Sequence, residues 1–479
     1  MIIGVKQVKR ISVRLLPFSD AASPGLPLGQ LLRLSLFQVS VGMAAVLLLG
    51  TLNRVMIVEL GVTTTIVAVM IALPVLIAPF RALLGFRSDT YKSAIGWRRA
   101  PYLWFGSLWQ MGGLAVMPFA LILLSGDQFH GPAWAGEAIA AVAFLFTGLG
   151  LHMTQTAGLA LAADKADDET RPRVVTLLYV MFLLGMAISS IIIGWLLTPF
   201  SDMRLIQVVQ GAAALTLILN IIALWRQESI RPMSREERAK PRPLFRDAWA
   251  DYSKGGQAGR LLVLVFLGAM AFNMQDVLLE PFGGEVLGLP VAATTLLTAV
   301  WAIGALIGFA AAGRWLATGF NPYLIASRGL LAGVAAFSII IFASPLQSPA
   351  LLFIGATGIG FGGGLFAVAT LTAAMVMPVE GVASRGLALG AWGAAQATGA
   401  GLSIAIGGGV RDFTNQLVGS DPAAALLSPA AGYMVVYHIE IGLLFVTLAA
   451  LGPLVRAGAR YSRPKDSASA PIGLAEFPG

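Results

Sequence analysis

Cysteine is absent from these 479 residues, which excludes disulfides, thiolate metal sites and thiol catalysis. Histidine occurs only three times, as His130, His152 and His438, and no two stand at helical spacing, so a helix-borne zinc pair is excluded too. Charge is scarce. Asp, Glu, Lys and Arg make up 12% of the chain, where soluble domains carry about 25%. There is no glycine-rich nucleotide loop ending in Lys-Ser/Thr and no nucleophile–base arrangement, so the expectation is a protein that is not an enzyme.

What fills the sequence instead is apolar surface. Hydrophobic residues make up 57%, glycine contributes 55 residues, and apolar runs of twenty or more recur. Mean hydropathy is +0.80. This is the composition of a membrane bundle, each pass needing about 20 residues to cross ~30 Å of hydrocarbon. Twelve passes are expected, near 34–60, 63–85, 101–124, 133–163, 174–197, 203–225, 261–279, 291–317, 323–342, 350–377, 387–410 and 432–454.

With the N-terminus placed inside, 29 of the 32 Lys and Arg fall on that side, and only Arg54, Arg204 and Arg411 fall on the other. That is the positive-inside asymmetry, and it puts both termini in the cytoplasm. It also accounts for the net charge of +8 without nucleic acid, and leaves anionic lipid headgroups as the partner of the basic face. Residues 1–33 alternate basic and apolar positions and read as a cytoplasmic amphipathic arm. Residues 34–226 form one six-helix half, 227–259 a basic, proline-containing cytoplasmic linker, 260–455 a second half, and 456–479 a cytoplasmic tail.

The halves resemble each other. Thr147-Gly148-Leu149-Gly150 answers Thr357-Gly358-Ile359-Gly360, Arg173 answers Arg385, and Glu59-Leu60-Gly61 answers Glu285-Val286-Leu287-Gly288. A parallel 6+6 repeat is the arrangement of major facilitator proteins, so the expected fold is an all-α membrane protein of that type. Gly85 and Asp89, followed by Gly96, Arg98 and Arg99, resemble the cytoplasmic gate loop of that superfamily, with the spacing stretched.

Ionisable groups inside a span are costly and mark sites by default. Asp276 and Glu280 lie one turn apart in the seventh span, and Arg54 ends the first at similar height. Two readings stay open: an ion pair between Arg54 and Asp276 or Glu280 that closes the outer side of the bundle, or three groups solvated in the headgroup region. Arg81, near the cytoplasmic end of the second span, is expected to snorkel. His152 lies mid-span among Gly148, Gly150, Thr154 and Gln155, and His438 sits beside Tyr437 in the twelfth span. Each imidazole can be satisfied by a neighbouring side chain or carbonyl, can ligate a metal inside a flat apolar macrocycle, or can relay protons. Trp104, Trp109, Trp301 and Trp392 can stack on such a ring or hydrogen-bond its carbonyls.

Several segments carry a more specific resemblance. Leu32–Gln38, Gly50–Leu60, Pro79–Asp89, Gly96–Arg99 and Met274–Gly288 are similar to the PucC/LhaA family, the bacteriochlorophyll delivery proteins of phototrophic bacteria. The resemblance implies a major facilitator fold used to assemble light-harvesting antenna complexes, by handing pigment to inserting antenna polypeptides, in the first place those of the core antenna. It implies bacteriochlorophyll, carotenoid or both as cofactors, held through magnesium with no direct metal site. Its implied partners are the antenna alpha and beta polypeptides and, further, the reaction centre and bacteriochlorophyll synthase. The membrane it implies is the bacterial inner, intracytoplasmic photosynthetic membrane. The family's pigment ligands form no motif that can be carried across, so the candidates above remain those of the residues themselves. The alternative is a major facilitator secondary transporter of a small molecule.

Overall fold

The computed structural model describes residues 21–23, 25–77, 97, 99–125, 132, 134–167, 170–228, 256–376, 385–419 and 430–458. Among these the ordered elements are all helical, and they follow the chain as twelve passes. Helix α1 is the run Leu28–Glu59. It is followed by α2 (Thr64–Ile77), α3 (Ala100–Leu124), α4 (Ala135–Lys165), α5 (Arg171–Leu196) and α6 (Asp202–Leu224). The second half begins with α7, an interrupted pass made of Gly256–Asn273, Met274–Val277 and Leu279–Glu285. Then come α8 (Val291–Ala317), α9 (Pro322–Ala343), α10 (Pro349–Val376), α11 (Arg385–Gly419) and α12 (Ala430–Gly458). Ten of the twelve are long and apolar enough among the described residues to cross a membrane; α2 is a shorter apolar helix.

Local sequence sets the helix starts. Proline occupies the first turn of α3, α5 and α9, where its missing N–H has no helical partner to lose. Ser201 caps α6 by accepting from the Arg204 N–H at 3.3 Å, and Asn321 caps α9 by accepting from the Tyr323 N–H at 2.9 Å. Gly61 and Gly288, which end the turns after α1 and α7, both have positive φ, of 67° and 63°. A β-carbon is disfavoured in that conformation. The equivalence of these two turns is therefore conformational as well as sequential.

Three expected boundaries move. The arm was expected to extend to residue 33, but α1 starts at Leu28, directly after Pro27, because Leu28, Leu31 and Leu34 bury one stripe at helical spacing. The linker was expected to run from 227 to 259. Its first residues instead brace the bundle: Gln30 donates to Gln227 at 3.1 Å, Lys165 donates to Gln227 at 3.2 Å, and the Ala100 N–H donates to Glu228 at 2.9 Å. Helix α7 then begins at Gly256. The eleventh pass was expected to end at Val410; it continues to Gly419 and carries Arg411 and Asp412 within the helix.

The repeat is real but its glycine register is two residues off the expected one. Gly148 packs against Pro74 of α2 and Gly150 against α3, at Gly106 and Gln110. In the second half Gly360 packs against Trp301 and Ala305 of α8, and Gly362 against Gly329 and Gly333 of α9. Gly148 therefore corresponds to Gly360 and Gly150 to Gly362, 212 positions apart, the same offset as Arg173 and Arg385. Bare glycines at these crossings let the backbones approach closely, as membrane helices require.

The halves meet most extensively along two pairs, α2 with α11 and α5 with α8, and α1 also lies against α7 and α8. Calling the end of the bundle reached by the last residue of α1 the distal end, a set of hydrogen bonds between the halves lies toward it. Thr51 and Thr295 share one at 3.1 Å, Asn53 donates to the Val277 carbonyl at 3.0 Å, and Ser190 donates to the Thr295 carbonyl. Arg54 donates to the Leu289 carbonyl at 3.1 Å, and Thr65 donates to Asp412.

Candidate functional site

The two passes expected to carry the buried charge are also the irregular ones. Helix α1 widens into π turns at Val46–Thr51 and Val55–Glu59, separated by Leu52–Arg54. Helix α7 tightens into a 3₁₀ turn at Met274–Val277. Departures of both kinds concentrate where a helix does something other than span, and non-helical backbone at membrane depth is tolerated only inside protein or along a cavity. Here the irregular segments face each other, and Asn53 bridges them by donating to Val277.

The charges in this seam are paired differently from the expectation. Arg54 does not bond Asp276 or Glu280: its guanidinium binds Glu59 on its own helix and the Leu289 carbonyl of the other half. Local geometry gives the reason. The π turn after Arg54 brings Glu59 back into reach five residues on, and glycine at 284 leaves room for the guanidinium, since a β-carbon there would lie 3.0 Å from its Nε. Glu280, 3% exposed, accepts instead from the Thr298 hydroxyl at 2.6 Å. It sits over Gly50 of α1, where a β-carbon would lie 2.9 Å from its Cδ. Asp276 accepts from Gln275 beside it.

A third buried carboxylate completes the seam. Glu440 of α12, 0% exposed, accepts from the Gln275 backbone N–H at 2.7 Å. That N–H was released by the 3₁₀ turn, so Glu440 satisfies the break in α7. Four buried acceptor atoms here find no partner among the described residues: Asn53 Oδ1, Gln275 Oε1, Glu280 Oε2 and Glu440 Oε2. The Tyr437 hydroxyl is likewise unpartnered. Against these acceptors the seam sets one unpartnered charged donor among the described residues, the buried Arg54 Nε, so it keeps more acceptors than donors to offer a ligand. Among the described residues no group of three or more His, Cys, Asp or Glu could hold a metal ion.

Sequence reasoning singled out Asp276 and Glu280 but missed Asn53, Gln275 and the role of Glu440. It also missed a distal cluster in which Arg411 binds Glu285 and Asp412, with Tyr433 donating to Glu285 at 2.8 Å. The signal for that cluster was present, because Arg411 was one of the three basic residues on the outer side. Of the expected gate, Gly85, Asp89, Gly96 and Arg98 lie outside the described residues, as does Arg81. Arg99 is buried and its Nε donates to Asp164 of α4 at 3.0 Å, so it ties α3 to α4.

The pigment candidates separate by environment. Trp392 spends its indole N–H on the Thr370 hydroxyl at 3.2 Å. The Trp301 N–H is buried without a partner among the described residues. His152 is half-buried in the middle of α4. Trp104 and Trp109 lie on the outer face of α3, 38% and 46% exposed, next to Phe105 at 56%. Trp109 packs against Phe146 of α4 with ring centroids 5.7 Å apart. His438 is exposed on α12, and its Nδ1 lies 2.7 Å from the Met434 carbonyl. The residues present fit a flat, apolar, donor-seeking ring on two counts, the orphaned Trp301 N–H and the exposed imidazole and indoles of the outer faces.

Comparison with known proteins agrees with this architecture. A family model described as PUCC protein matches residues 51–459. A Rhodobacter capsulatus protein described as an uncharacterized protein in the puhA-bchM intergenic region is 61% identical over 478 residues, covering 100% of both chains. Protein PucC of Rhodovulum sulfidophilum is 54% identical over 414 residues, 85% of this chain and 90% of its own. Among solved structures, the nucleoside transporter NupG aligns with a TM-score of 0.62 at 14% identity, covering 90% of this chain and 100% of its own. At that identity the likeness is one of fold, and the fold is that of major facilitator transporters.

Proposed function

This chain belongs to the PUCC protein family, and on that premise we propose that it is an assembly factor for light-harvesting antenna complexes rather than an enzyme. In this reading it holds bacteriochlorophyll, with or without carotenoid, inside the membrane and passes it to antenna polypeptides, in the first place those of the core antenna. Reaction-centre subunits and bacteriochlorophyll synthase are further partners. The location that follows is the bacterial inner photosynthetic membrane with both termini cytoplasmic, where the basic face meets anionic lipid.

The observation that carries this reading is the aromatic face of α3 and α4. Trp109 is the tenth residue of α3, about 14 Å along the helix axis. Membrane tryptophans gather at the interfaces, and that depth is within the hydrocarbon. An exposed Trp109–Phe146 pair at such depth offers a flat, polarisable wall for a macrocycle or a partner helix. Purification in mild detergent from phototrophically grown cells tests the reading, with absorption spectra and identification of small co-purifying polypeptides. Pigment and antenna polypeptides are expected together, and a preparation carrying neither overturns the proposal.

A second reading, secondary transport of a small molecule, draws on the acceptor-rich seam between α1 and α7 and on the fold. It predicts solute accumulation in proteoliposomes that is lost in Glu440→Gln, whereas the assembly reading predicts none.

A further inference from the structure

We propose that His438 is the axial ligand of the magnesium of a tetrapyrrole seated on the membrane-facing surface of α12. This rests on the pigment-handling reading above and names a site for it. The imidazole lies eight residues into α12, about 12 Å from its first turn. It is therefore inside the apolar span Ala430–Val455, yet it is exposed there rather than turned inward. Ionisable side chains in membrane spans ordinarily face the bundle interior, so an outward one needs a partner that arrives from the membrane side.

The ring's two nitrogens are not equivalent. A carbonyl can only accept, so the 2.7 Å contact with Met434 places the proton on Nδ1. In the neutral ring this leaves the Nε2 lone pair as the atom without a partner among the described residues. That is the arrangement typical of metal-bound histidine, in which one ring nitrogen is anchored to a carbonyl and the other is presented to the metal. The nearby carboxylate does not compete: Glu440 is on the opposite, fully buried face and is held by the Gln275 N–H.

The surroundings define what can bring the metal. Val435 and Ile439 flank the imidazole, and Phe445 and Val446 continue the same exposed side one to two turns on. Gly442 follows His438 by four residues, hence on the same face, and a β-carbon there would meet nothing within 4 Å. The result is a nitrogen acceptor beside an open, exposed, apolar helix face on which Gly442 adds no side chain. A planar apolar macrocycle whose central metal lacks one axial ligand satisfies the nitrogen and covers this apolar face together.

The test uses the full-length protein in lipid nanodiscs, titrated with bacteriochlorophyll a and, in parallel, with metal-free bacteriopheophytin a. His438→Leu is expected to weaken bacteriochlorophyll binding by about tenfold or more and to remove the axial-coordination signature from the resonance Raman spectrum. Its melting temperature should match the wild type, since the side chain is exposed, and bacteriopheophytin binding should not change. Gly442→Leu, which puts a bulky side chain on the face the ring would cover, is expected to weaken binding of both pigments. Wild-type protein that binds bacteriochlorophyll while His438→Leu binds it equally, with the same signature, overturns the site and leaves the pigment reading standing. Equal weakening of both pigments by His438→Leu also overturns ligation, in favour of packing or a hydrogen bond to a partner. Wild-type protein that binds neither pigment removes the reading and the site together.

Discussion

Asp412 of α11 accepts two hydrogen bonds from Thr65 at the start of α2, one from its backbone N–H at 2.6 Å and one from its hydroxyl at 2.7 Å. The residues are 347 positions apart and belong to different halves. The first-turn N–H groups of a helix have no internal partner and favour negative charge. One half thus supplies the cap that the other half's helix needs, and the cap doubles as a clasp between them. Arg411 binds the other oxygen of Asp412 and also Glu285, which extends the clasp to α7.

Asp412→Ala is therefore expected to cost on the order of 0.5–2 kcal/mol, the loss of a helix cap at the half-buried Thr65. Asp412→Asn keeps an acceptor oxygen and should lose less. Thermal unfolding of the detergent-solubilised variants measures both. An alanine variant that melts with the wild type would show that the clasp contributes nothing.

Arg54 provides a sharper contrast because two pairings can be compared. Exchanging charge between Arg54 and Glu59 should recover much of the stability lost in either single variant, since the two side chains form the observed pair. Exchange between Arg54 and Glu280 should recover less, because Glu280 is hydrogen-bonded to Thr298 and meets Arg54 only through the field of its charge. Glu59 is 39% exposed, so the recovered energy is about 1 kcal/mol at most. The measurement is a pair of double-mutant cycles on melting temperature, and recovery confined to the Arg54–Glu280 cycle contradicts the observed pairing.

The misassigned ion pair shows what the sequence made legible. The twelve passes, the division into halves and the candidate helices α1 and α7 followed from hydropathy and internal similarity, because lipid forces each pass to be long, apolar and helical. The presence of Arg54, Asp276 and Glu280 in the membrane was equally plain. Their partners were not, because pairing depends on where a helix departs from ideal geometry. A regular helix would put Arg54 and Glu59 on different faces; the π turn brings them together. The Gln275 N–H becomes available to Glu440 only because α7 tightens at Met274–Val277. The glycine register was out by two for a related reason: Thr-Gly-x-Gly matches well in letters, but which neighbour each glycine touches is a property of the packed bundle.

Gly50 and Gly284 are the steric counterpart of the rearranged charges. Each lies on one helix beneath an ionisable side chain of the other, Glu280 over Gly50 and Arg54 beside Gly284. Gly50→Ala puts a methyl group 2.9 Å from Glu280 Cδ, and overpacking of this kind typically costs about 1–3 kcal/mol. Gly112→Ala in α3 is the control, as nothing lies within 4 Å of its added carbon, and there a small gain from helix propensity is expected. Melting temperatures of the two variants should move in opposite directions, and a neutral Gly50→Ala would mean that α1 and α7 are not held this closely.

Glu440 allows structural need to be separated from charge. It is fully buried, one carboxylate oxygen accepts from the Gln275 N–H, and the other has no partner among the described residues. Glu440→Gln keeps an acceptor for Gln275 and adds two N–H donors beside the unpartnered Gln275 Oε1 and Tyr437 hydroxyl. It removes no required bond, so stability should hold or rise. Glu440→Leu preserves bulk but strands the Gln275 N–H at the break in α7, at a cost of about 1–3 kcal/mol. The two variants should therefore diverge in melting temperature, glutamine at or above the wild type and leucine below it. If leucine is as stable as glutamine, the N–H released by the 3₁₀ turn has found another acceptor, and Glu440 does not hold the break in place.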